Sequence, residues 1–153
     1  MSLSWSGRTT GGDDHGRRDG VTEAGANGDR SRSTAMAAAR AAAAKQASDV
    51  AILDVRALIV ITDFFVLASG GTGRQVRTIV DAVGKALRDR GERPVRREGE
   101  TEGRWVLLDY VDVVVHVFAE EEREFYDLER LWRDAPRVEW EDDARRSDAA
   151  SSG

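Results

Sequence analysis

Asp109 and Asp112 stand three residues apart between two apolar runs. A site that holds magnesium for nucleotidyl transfer needs two carboxylates on one face of a strand, at i and i+2. Asp109 is followed at i+2 by Val111 and Asp112 by Val114, while Asp54 and Asp63 each stand alone in their strands. A metal reading would therefore need carboxylates gathered from different elements. His116 is the only histidine between residues 36 and 136, so a Ser-His-Asp triad would have to be built on it. Ser69 precedes Gly70 but lacks the earlier glycine of a nucleophile elbow, which favours a half-buried structural role for His116. The run Ser69-Gly70-Gly71-Thr72-Gly73 could offer backbone N–H groups to a phosphate at a helix start. It lacks the Lys-Ser or Lys-Thr ending of a phosphate-binding loop and the dinucleotide spacing, so a tight turn closed by a helix cap is the competing reading. With no cysteine in the chain, disulfides, thiolate nucleophiles and Cys-ligated zinc are excluded.

The elements that must position these residues follow from periodicity. Residues 105–108 are continuously apolar and residues 113–118 are apolar except for His116, which predicts two buried strands joined by the turn 109–112 and paired antiparallel. From Glu120 the period changes: Phe125, Leu128, Leu131 and Trp132 recur at helical spacing, with Glu121, Glu122 and Glu124 where the positive end of a helix dipole favours acids. Upstream, residues 50–55 and 59–61 are short β-branched pieces, and 63–69 reads as a buried strand. Thr72 with Gln75 three residues on has capping-box spacing, and Val76, Ile79, Val80, Val83 and Leu87 form the stripe of a helix that lies on a sheet. Gly91 and Pro94 end that helix, and 95–98 could form a short strand. Residues 37–47 are an Ala-rich helix. The order predicts an α/β domain with a mixed β-sheet covered by helices, parallel across the 74–90 helix.

The length allows one domain and one core. Residues 1–35, poor in large apolar side chains, and the acidic tail 137–153 are expected to be disordered, leaving a folded unit at 36–136 with Met36 a candidate biological start. Net charge is −5 and spread evenly, which argues against a protein held to nucleic acid by bulk charge. No apolar run nears the roughly 20 residues that span a bilayer, and a cytoplasmic location is expected.

Trp105, Tyr110, Tyr126 and Trp132 are expected to crowd one sheet-and-helix corner. Core burial could absorb all four rings, or they could anchor a protein interface. The phrases ITDFFVLASG, RQVRTIVDAV, EGRWVLLDY, DVVVHVF and EEREFYDLERLW, in this order, resemble the ribosomal silencing factor family, also called the Iojap family, over residues 48–135.

That resemblance implies a single-domain nucleotidyltransferase-like fold without enzymatic activity and without a cofactor. It also implies binding to large-subunit ribosomal protein fourteen, a steric block on joining of the small subunit when nutrients are scarce, and a homodimer when free. Carried over by motif, the contact surface is Trp105, Leu107, Leu108, Asp109, Tyr110, Asp112, Val115, Tyr126 and Trp132. Trp105 and Tyr110 would be aromatic anchors, and Asp109 and Asp112 would pair with basic groups. Arg74 and Gln75 would support the fold or a dimer contact. Family members usually carry glycine where this chain has Val111, which puts a β-branched residue in the turn after Tyr110. A nucleotidyltransferase-like nucleotide-binding enzyme and an interaction module with another partner are the alternatives.

Overall fold

The structure, a computed structural model, describes residues 17–141, with side chains described from residue 25 onward. Helix α1 (Arg17–Ala44) leads into strands β1 (Ser48–Asp54) and β2 (Phe64–Gly70), then helix α2 (Gly73–Asp89). Strands β3 (Arg96–Glu98), β4 (Trp105–Asp109) and β5 (Val113–Ala119) follow, and short helices α3 (Glu120–Tyr126) and α4 (Leu128–Leu131) close the domain. The strands form one mixed sheet in the order β1-β2-β5-β4-β3. Only the β2–β5 pair is parallel, Phe64 opposite Val113 through Gly70 opposite Ala119. A parallel pair needs a long connection, and α2 with the β3–β4 hairpin supplies it. Residues 59–61, read as a strand piece, lie instead in the irregular β1–β2 connection with Val60 fully out in solvent.

Helices α1 and α2 cover one face of the sheet. Ala35, Ala38, Ala39 and Ala42 are buried at helical spacing, so α1 lies against Ile52, Phe64, Val66 and the apolar stripe of α2 with only methyl groups between. The helix starts well before the Ala-rich run, which corrects the expectation that everything before residue 36 is disordered. Ser31 and Thr34 continue the buried stripe, and both are satisfied: Ser31 Oγ donates to Asp63 at 2.9 Å, and Thr34 Oγ1 donates to Glu92 at 2.8 Å. Residues 1–16, also expected to be disordered, lie outside the described residues.

Helix α2 is capped at both ends. Thr72 accepts from the Gln75 N–H at 3.1 Å, while the Gln75 side chain accepts from the Gly71 N–H at 2.7 Å and donates to the Gln46 carbonyl at 3.0 Å, which ties the start of α2 to the end of α1. At the other end Gly91 takes φ +84°, and the N–H groups of Gly91 and Glu92 return to the carbonyls of Arg88 and Leu87. That is the Schellman pattern, and glycine supplies its left-handed residue at no steric cost.

The chain after residue 136 is also ordered further than expected. The Val138 N–H donates to the Ile52 carbonyl at 2.9 Å, the Asp54 N–H donates to Pro136, and the Trp140 indole, 8% exposed, donates to Val50 at 3.2 Å. This segment covers the outer edge of β1, an exposed row of backbone groups that would otherwise invite pairing with another chain. Residues 142–153 lie outside the described residues.

Candidate functional site

The second face of the sheet is only partly covered. Leu53, Val55, Leu67, Phe118, Leu128 and Ala135 form a small core beneath α3 and α4, with Phe65, Trp105 and Trp132 packed half-buried at its margin. Strand alternation brings Leu107, Asp109, Val114 and His116 to this same face, beside Arg96 and Glu98 of the edge strand. Trp105 is held from several sides. Its indole Nε1 donates to His116 Nδ1 at 3.1 Å, its ring stacks on Phe118 at 5.0 Å, and Tyr126 lies 4.7 Å away. His116 bridges to the other tryptophan: Phe65 meets it edge-on at 5.2 Å and Trp132 at 5.3 Å.

Accepting through Nδ1 leaves the neutral imidazole with its hydrogen on Nε2, which is buried and has no hydrogen-bond partner among the described residues. Burial, helped by the charge of Arg123, pushes the ring down to about 4, so it stays neutral at physiological pH. The structural role expected for His116 follows from these contacts; among the described residues no serine hydroxyl bonds it.

Helix α3 is tethered by a buried arginine. Arg123 donates to Ser69 Oγ at 2.7 Å, to the Asp49 carbonyl at 2.6 Å and to Glu129 at 3.0 Å. The Asp49 carbonyl needs this partner because the β1–β2 register shifts between Ser48 and Ala51, where Asp49 takes φ +51°. Burial opposes ionisation of Glu129, yet hydrogen bonds and charge from Arg123 and Arg137 hold its carboxyl below the usual range.

The predicted helix over 120–132 is broken. Asp127 adopts a left-handed φ of +46°, ending α3 and starting α4. An unbroken helix would align Phe125, Leu128, Leu131 and Trp132; the break sends Leu128 into the core and leaves Phe125 80% and Leu131 70% exposed. The two apolar side chains flank an open cleft of about 710 Å³ with Tyr126 and Arg130. Spacing alone gave no sign of this break, since Asp is compatible with helix and only tolerates the left-handed region better than most residues.

Of the expected contact residues, Trp105, Leu107, Asp109, Tyr126 and Trp132 lie on or beside this face. Leu108 and Val115 do not. Both are 0% exposed in the core under α1 and α2, because each is one residue out of phase with Trp105 or His116 on its strand. Tyr110 is out of phase too and belongs to the helix-covered core, not to the aromatic corner. Asp112 sits in the turn, where its carbonyl accepts from the N–H groups of Asp63 and Phe64. Asp109 shapes that turn: its Oδ1 accepts from the Val111 N–H at 2.8 Å, and Arg96 lies 3.4 Å from Oδ2. Val111 is the centre of a γ-turn with φ +77°, closed by the Asp112 N–H on the Tyr110 carbonyl at 3.0 Å. Phe65, Val114, Phe125 and Leu131 were missed as surface residues; for Phe65 and Val114, alternation against Val66 and Val115 was the available signal.

The profile described as "Ribosomal silencing factor during starvation" matches residues 28–153. The chain belongs to the ribosomal silencing factor family. Ribosomal silencing factor RsfS of Halalkalibacterium halodurans is 43% identical over 97 residues, 63% of this chain and 83% of that protein. The same factor of Bacillus subtilis is 40% identical over 99 residues, 65% of this chain and 84% of that protein. The crystal structure of protein CV0518 from Chromobacterium violaceum superposes with a TM-score of 0.64 at 34% identity, covering 66% of this chain and 84% of that one. The match begins at residue 28, inside α1, so the family resemblance extends into the part of that helix before residue 36, which composition alone assigned to disorder. No helix among the described residues is long and apolar enough to cross a membrane.

Proposed function

We propose that this chain binds the large ribosomal subunit through the open aromatic face and, while bound there, sterically prevents the small subunit from joining, which represses translation. Family membership and the names its relatives carry support a ribosome-associated silencing role. The partner in this reading is large-subunit ribosomal protein fourteen, and the setting is the cytoplasm. The observation that carries the reading is Trp105, held in place by His116, Phe118 and Tyr126 with part of its surface left open. A tryptophan fixed before binding loses little entropy when a partner covers it, and such rigid aromatic anchors dominate interface energetics. Around it, Leu107 and Val114 offer apolar area, and Asp109 and Glu98, both paired with Arg96 in the free chain, would have to exchange that partner to meet a basic group. The mechanism requires no cofactor and no covalent step. The free chain is further proposed to pair with a second copy, which sedimentation equilibrium tests directly.

Pelleting with isolated large subunits, then light scattering as small subunits are added, is the test. The native chain pellets and suppresses joining. Trp105→Ala binds about thirtyfold more weakly, the loss of one interface anchor on the order of 2 kcal/mol. Normal joining in the presence of saturating native protein removes the silencing reading.

A further inference from the structure

One polar side chain stands at the centre of the open face. His116 lies on β5, the middle strand of the sheet, and its register partners are Leu67 of β2 and Leu107 of β4. The other residues of 113–118 are apolar, and His116 is 6% exposed. For stability alone a histidine is a poor choice here. Its Nε2–H is buried without a partner among the described residues, a cost that a valine such as Val114, Val115 or Val117 does not carry. What a valine could not supply is Nδ1, a hydrogen-bond acceptor inside the apolar layer.

That acceptor meets one donor. Trp105 Nε1 donates to it at 3.1 Å, and among the described residues this is the only hydrogen bond of the indole. Phe118 stacks on the indole with 28° between the planes, and Tyr126 approaches it at 44°. A flipped indole would stack about equally well, so stacking sets the plane of the ring and the directional N–H bond sets which edge turns inward. The imidazole is itself clamped, by Phe65 edge-on at 5.2 Å and by Phe118 nearly parallel at 6.0 Å. The positive charge of Arg123, on α3, adds to burial in opposing protonation of the ring, so Nδ1 keeps the lone pair that accepts.

We propose that His116 is a positioning residue for docking: by accepting from the Trp105 indole it sets which edge of that anchor a partner on the large subunit meets. This role rests on the ribosome-binding reading above and adds to it a requirement of chemistry rather than of bulk. Many side chains of similar size fill the space, but only one with an acceptor at the Nδ1 position satisfies the indole N–H beneath the surface. Without that acceptor the N–H turns to water, the ring swings toward solvent, and the order that makes Trp105 a ready anchor is lost. His116→Asn keeps an acceptor, since its amide oxygen takes the place of Nδ1, whereas His116→Phe and His116→Leu have none.

The test pairs hydrogen exchange with a double-mutant cycle on the full chain. The Trp105 indole N–H, identified among the indole NMR signals by its absence in Trp105→Phe, is expected to exchange slowly with solvent in the native chain. In His116→Phe it is expected to exchange about tenfold faster, and in His116→Asn to stay protected. In pelleting titrations with isolated large subunits, Trp105→Phe and His116→Phe are each expected to bind about fivefold more weakly, while His116→Asn stays within about twofold of native. Both single changes remove the same hydrogen bond, so the double variant is also expected to lose about fivefold, not the roughly twenty-five-fold of independent losses. His116→Leu replaces His116→Phe in the cycle if urea unfolding shows that the larger ring does not fit. The role is overturned if the native indole N–H exchanges freely, if His116→Asn binds as weakly as His116→Phe, or if the double variant shows the full additive loss. A native chain that fails to pellet removes the silencing reading and this role with it; pelleting kept at native strength by His116→Phe overturns the positioning alone.

Discussion

The two faces of the sheet are built from the same strands yet finished differently. On the covered face, α1 and α2 meet the strands through alanine, valine, isoleucine and leucine, and the core residues are 0–9% exposed. On the other face the cover is two short helices broken at Asp127, and the side chains at the margin are large, aromatic and half-buried. Small side chains allow close approach over a long helix and leave nothing at the surface to recognise. Large rings locked by hydrogen bonds and stacking leave rigid apolar area facing solvent, which suits a partner better than a solvent boundary.

Adjacent residues of β4 give the sharpest way to break this comparison. Leu108→Ala removes a side chain buried at 0% exposure and is expected to destabilise the fold by roughly 4 kcal/mol in urea unfolding. Leu107→Ala, one residue away and only partly buried, is expected to cost clearly less, about 1–2 kcal/mol, and to weaken pelleting with large subunits as well. Equal stability losses for the two would mean that the open face is ordinary core.

The second prediction concerns pH. The folded His116 titrates at about 4, below the roughly 6.5 of an unfolded histidine, so the unfolded chain takes up the proton first as pH falls. The contribution of this buried neutral ring is complete above about pH 6.5, drains away between about 6.5 and 4, and changes no further once both states are protonated. The loss across that window is on the order of 3 kcal/mol. Unfolding midpoints measured across it should fall for the native chain and show a shallower fall for His116→Asn, with carboxylates such as Glu129 contributing the remainder.

The smallest effect lies in the turn that joins the two strands of the site. Val111 carries φ +77° with a branched Cβ, a conformation glycine adopts freely. Val111→Gly is expected to raise stability by about 1 kcal/mol, strain relieved less the added chain entropy, without altering pelleting. A destabilised variant would show that the valine methyls contribute packing worth more than the strain.

Several elements were legible in advance because each carried its own local signal. The α2 stripe from Val76 to Leu87, its Thr72 cap and its Gly91 terminus are all confirmed, as is the antiparallel pairing of β4 with β5. The start of α1 was not legible, because Ser31, Thr34 and Ala35 bury small polar or methyl groups and composition counts such residues as solvent-seeking. Val138 and Trp140 do alternate as an edge segment should, but two apolar residues inside an acidic tail are too faint a pattern without the β1 edge beside them.

The sequence by itself determined the five strands of the sheet, though it added a false one at 59–61, and it determined the mixed α/β class and the family, because hydrophobic period, caps and ordered motifs are written locally. Which side of each strand meets solvent was decided only by tertiary structure. The period of 2 pairs Trp105 with Leu107 and separates both from Leu108 and Tyr110, yet it does not say which set the helices will cover. That choice followed from α1 and α2 fitting the valine-rich side closely while Arg123, drawn to Ser69 and the Asp49 carbonyl, held α3 on the other.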